Sequence, residues 1–150
     1  MSHTERDDDV RTETREYDPN PDESGKWVSA LIALLGTWMI VQVLLLDLST
    51  GQFWNDVAVG ALLLAVGAYN YSRRADERLG NVAAAIIAVL VGLWLVAAPF
   101  LVGPDAGATE AVNAAGFWND IIVGLAAIVL GAYSAYKVRD NQEDVRRTTT

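Results

Sequence analysis

Two aspartates stand where an otherwise apolar chain could do chemistry. Asp56 and Asp120 close the same tetrapeptide, Phe53-Trp54-Asn55-Asp56 and Phe117-Trp118-Asn119-Asp120, at a separation of 64 residues. Oxygen-bearing side chains at the start of an apolar run have two uses. Asn55, Asp56, Asn119 and Asp120 can cap free helix N–H groups and complement the dipole, worth about 0.3 to 1 kcal/mol per charge. Alternatively, a two-fold relation can bring Asp56 and Asp120 together as an outward-facing cation site. Capping is the simpler expectation, and the cation site stays beside it. Gln42 is, with Thr37, the polar side chain set well inside an apolar block, and an interhelical hydrogen bond is its expected use.

Other chemistry is scarce. Cysteine is absent, which removes disulfides, thiol nucleophiles and cysteine-ligated metals. His3 is the single histidine and lies in a polar tail, whereas a metal site needs several converging ligands. With neither a nucleophile and base pair nor a metal cluster, the sequence predicts no enzyme, no catalytic residue, no resident metal and no cofactor. A net charge of −8, from nineteen acidic and eleven basic residues, argues against nucleic acid as a partner and would suit a protein facing high salt, as in halophiles.

The elements that must position these residues are apolar blocks, at residues 27–46, 53–71, 82–102 and 117–136. The first holds twenty residues without a charge, and at about 1.5 Å per residue it spans the roughly 30 Å of a bilayer's hydrocarbon. Ser24 and Asn81 are candidate caps for the first and third blocks. The short turn at 47–52 forces the second block back beside the first. The expected fold is therefore an all-α membrane protein, with four transmembrane helices arranged as two tandem helical hairpins. Residues 1–26 form a disordered acidic tail, 27–74 the first hairpin, 75–81 a charged connector, 82–139 the second hairpin and 140–150 a polar tail.

All eleven basic residues lie outside the apolar blocks, in or beside the two tails and the connector, and neither hairpin loop has one. Lys and Arg near helix ends stay on the cytoplasmic side, so both termini are expected inside, in a cell membrane, with the hairpin loops outside. Aromatic rings at Trp27, Trp54, Trp118, Tyr69 and Tyr133 fall at the two headgroup levels as interfacial anchors. Trp38 and Trp94 sit near mid-span and are expected to fill space between helices.

The second and fourth blocks match at offset 64, Gly60 with Gly124 and Gly67 with Gly131, while Gly36-Thr37-Trp38 matches Gly92-Leu93-Trp94 at offset 56. One hairpin has been repeated in the same orientation, a parallel internal repeat. Gly60, Gly67, Gly124, Gly131, Ala88 and Gly92 are the expected helix-packing residues, because small side chains let backbones approach. The Gly-x-Trp, Trp-Asn and Gly-Ala-Tyr pattern resembles the SPW-repeat membrane proteins, with Ala98-Pro99-Phe100 and Gln42-Val43-Leu44 at the positions of the Ser-Pro-Trp triplet. The resemblance implies a fold and a membrane location, and it implies no reaction. The expected function is a small multi-pass protein with a structural or partner-binding role, in contact with the lipid bilayer and with a second copy or another membrane protein. A channel or transporter subunit, with a path or cation site near the pseudo-two-fold axis, is the alternative.

Overall fold

A computed structural model describes residues 23–76, 78–102 and 114–149. His3, the first tail up to residue 22, and most of the second hairpin loop lie outside the described residues. Four helices follow in order: α1 (Ser24–Gln42), α2 (Thr50–Ala75), α3 (Val82–Leu101) and α4 (Ala114–Thr148). α1 packs along α2 and α3 along α4, and the hairpins meet through α2 against α3 and α1 against α4. The protein is thus an all-α bundle of two tandem hairpins.

Within each hairpin the backbones touch at glycine. A Cβ added to Gly36 would lie 2.6 Å from Gly60 O, and one added to Gly60 would lie 2.8 Å from Gly36 O. The second hairpin repeats this, with Gly92 meeting Gly124 O at 2.6 Å and Gly124 meeting Gly92 O at 2.7 Å. Gly67 is closed off by Ala33 and Ser29, and Gly131 by Ala85 and Val89, again at matching positions. Ala88 is fully buried. In lipid, where hydrocarbon gives helices no reason to hide apolar surface from water, such backbone contact is what holds a hairpin shut.

The distribution of polarity is the reverse of that in a water-soluble bundle. Leu31, Leu34, Leu62, Leu90, Leu93, Ile122 and Val129 are exposed, whereas Gln42, Asp56, Asn70, Arg74 and Asp120 are buried. A surface this apolar calls for a membrane. α1, α3 and α4 are each long and apolar enough to cross one. α2 misses on composition because Asn55, Asp56, Asn70, Arg73 and Arg74 are written into its length. Asp56, Asn70 and Arg74 point into the bundle, so the polar content of α2 is not offered to lipid.

Several boundaries depart from expectation. α1 begins at Ser24 itself, with Glu23 in the cap position and no side-chain cap bond, so Ser24 is not a cap. Asn81 does cap α3, accepting from Ala84 N at 3.2 Å. α2 starts at Thr50 with Ser49 as its cap, inside the stretch expected to be a turn. α4 continues through the polar tail to Thr148. There Arg139, Glu143 and Arg147 recur at four-residue spacing, which supports a solvated helix through alternating charge.

Candidate functional site

The residues singled out for chemistry converge at the hairpin-loop end of the bundle. Because α2 starts at Thr50 and α4 at Ala114, Asp56 and Asp120 stand more than a turn inside their helices, and each is about 1% exposed. Both are too deep to cap a helix, which corrects the capping expectation. Asp56 Oδ2 accepts from Gln42 Nε2 at 2.8 Å, and its Oδ1 accepts from Asn55 Nδ2 at 3.1 Å. Gln42 Nε2 and Asn119 Nδ2, the neighbours of Asp56 and Asp120, both reach Met39 Sδ, at 3.8 and 3.6 Å. The structure therefore brings the two carboxylates into one layer.

Two tryptophans clasp that layer. The indole Nε1 of Trp38 donates to Asn119 Oδ1 at 2.8 Å, and Nε1 of Trp94 donates to Asn55 Oδ1 at 2.8 Å. Each bond leaves one repeat and ends in the other, and the two exchange partners as a two-fold relation demands. Trp38 and Trp94 are 45% and 43% exposed, so they are more than space fillers: one edge faces the lipid side while the N–H is held by amide oxygen. Asn119 Nδ2 also donates to Met39 Sδ at 3.6 Å, a further tie between the repeats.

The two halves of the layer are not equal. Offset 56 pairs Gln42 with Ala98, the first positions of the two triplets, and both are buried. The first repeat thus gives Asp56 an amide donor that a methyl group cannot give Asp120. Among the described residues, Asp120 Oδ1 and Gln42 Oε1 are buried without a hydrogen-bond partner.

Below the layer lies an apolar septum. Met39, Leu63, Leu95 and Ala127 are wholly enclosed, joined by Ile32, Val59, Ala88, Val91 and Val123. At two core positions the first repeat supplies the larger side chain, Ile32 against Ala88 and Leu63 against Ala127, so the duplicated halves fill one core without colliding. Beyond the septum a second polar layer closes the other end. Arg74 Nη2 donates to Ser134 O and Oγ, both at 3.4 Å, and the space at Gly25 and Gly80 is filled by the same guanidinium. Asn70 Nδ2 donates to Asn81 O at 3.2 Å while Asn81 N donates to Asn70 Oδ1 at 2.7 Å, which pins the connector to α2.

Sequence reasoning passed over Asn70, Arg74 and Ser134. A signal was present, since offset 64 pairs Asn70 with Ser134, a polar side chain at the same place in both repeats. The expected anchors lie at the surface: Trp27, Trp54, Trp118, Tyr69 and Tyr133 are all exposed. Arg73 sits 5.8 Å from the Tyr69 ring and Lys137 5.8 Å from the Tyr133 ring, the same cation–π pair in both repeats. Among the described residues no cluster of three or more His, Cys, Asp or Glu could hold a metal.

Comparison with curated proteins and with solved structures gave no match. The repeated hairpin, its glycine contacts and its Trp-Asn pattern nevertheless have a family: the chain belongs to the SPW repeat domain family, whose model matches residues 26–143, and it is a membrane protein.

Proposed function

We propose that this is a multi-pass protein of the cell membrane with a structural or partner-binding role and no catalysis, whose termini and connector face the cytoplasm. The observation that carries the proposal is the closed septum. Between Gln42, Asp56 and Asp120 at one end and Ser29, Asn70, Arg74 and Ser134 at the other, the buried described side chains are apolar, so the bundle resists passage of ions or water. The confinement of basic residues to the tails and connector supports the orientation. The lipid bilayer is its first partner, and a second copy or another membrane protein is the next. Nucleic acid is not a partner, and the net charge of −8 suits a host rich in salt.

A second reading, as a channel or transporter subunit, draws on the buried carboxylate layer, because intramembrane acids commonly mark ion pathways. Reconstitution in liposomes with ion and small-solute flux assays separates the two. The structural reading predicts flux no greater than in empty liposomes, and flux abolished by Asp120→Asn would overturn it.

A further inference from the structure

We propose that Asp120, Asp56 and Gln42 form a binding site for one hard cation, of the Ca2+ or Na+ class, between the two repeats. The inference goes beyond the structural reading and stands whether or not the protein moves a solute. Two carboxylates are buried in one layer of the bundle, where Gln42, bonded to Asp56, and Asn119, next to Asp120, both reach Met39 Sδ. Every described basic residue lies at the other end, at Lys26, Arg73, Arg74, Arg78, Lys137 and beyond. A buried charge with no counter-ion is costly, and paired burial of like charge is costlier.

A second observation points to the occupant. Gln42 is fully buried, and its Nε2 is fixed on Asp56 Oδ2, yet its Oε1 has no partner among the described residues, and neither has Asp120 Oδ1. Both orphaned atoms are acceptors. A buried acceptor without a donor forfeits its solvation, and a cation satisfies both at once. All the ligands are oxygens, with no cysteine in the chain, which selects hard cations over zinc or copper. With only two acidic side chains, water completes the coordination shell. The charge of the ion is decided by the two arms of the test: a divalent ion neutralises both carboxylates, a monovalent ion one.

The test uses Tb3+, a hard Ca2+ surrogate, on the purified full chain in detergent. Trp38 and Trp94 are bonded to Asn119 and Asn55, each of which adjoins an aspartate of the site, and can sensitise Tb3+ emission. The proposal predicts a saturable signal that Asp120→Asn abolishes and that Gln42→Ala weakens by about ten-fold in affinity or more. Displacement by millimolar Ca2+ supports the divalent form, and displacement by Na+ but not by choline supports the monovalent form. Tb3+ held by the acidic tails contributes alike to every variant and cancels in the comparison. The Gln42→Ala protein reproduces the Ala98 of the second repeat, so it stays informative if Asp120→Asn fails to fold. Absence of saturable emission, or emission unchanged in both variants, overturns the proposal.

Discussion

Trp38 in the first repeat donates its indole N–H to Asn119 in the second at 2.8 Å, and Trp94 returns the same bond to Asn55. These bonds join the hairpins beside the buried carboxylates, so removing one should loosen the contact between repeats before it loosens either hairpin. Trp38→Phe and Asn119→Ala should each destabilise the protein by about 0.6 to 2 kcal/mol, the range for polar contacts between membrane helices. In a double-mutant cycle measured by unfolding in mixed micelles, the pair should couple by about 0.5 kcal/mol or more, whereas Trp38→Phe with Asn55→Ala should be additive.

The glycine contacts make a harsher prediction. Backbone atoms, which have no rotamer to change, face the missing Cβ at Gly60 and Gly124. Gly60→Ala and Gly124→Ala should therefore each cost about 1 to 3 kcal/mol by forcing the helices apart. Lipid-facing Leu34, which is 62% exposed, should accept Leu34→Val at a cost below about 0.5 kcal/mol.

Arg74 should prove irreplaceable by lysine. Its guanidinium reaches Ser134 from α2 and fills the room left by Gly25 and Gly80, a shape that a single ammonium does not reproduce. Arg74→Lys should cost about 1 to 3 kcal/mol in the same unfolding assay. Val138, the buried counterpart of Arg74 at offset 64, has no room for a further methylene, and Val138→Ile should cost about 1 to 3 kcal/mol.

How far the fold could be read from the sequence depended on which physical quantity set each feature. Hydrophobic length and repetition are one-dimensional, so the four blocks, the hairpin pairing and the offsets of 56 and 64 could be read directly. The packing glycines followed from the same repetition, although Gly36, which meets Gly60, entered only as a repeat marker. The role of Asp56 was harder to read, because it hung on where α2 starts. A polar stretch from Asp47 to Gln52 looked like a turn, yet Ser49 caps a helix there and carries Asp56 inward. The exchanged Trp–Asn bonds were hidden for another reason: they join positions about 40 and 80 residues apart, and only the arrangement of four helices makes them neighbours. Arg74 read as one of several connector charges, since nothing in its local sequence distinguishes it from Arg73.

The central claim is that α2 crosses the membrane with Asp56, Asn70 and Arg74 turned into the bundle. Thr50 and Asp76 stand at its two ends, and the absence of native cysteine leaves an introduced thiol unique. Thr50→Cys and Asp76→Cys proteins in intact cells should be probed with a membrane-impermeant maleimide. The account predicts labelling of position 50 from outside and of position 76 only after permeabilisation. Labelling of both positions from the same side would contradict it.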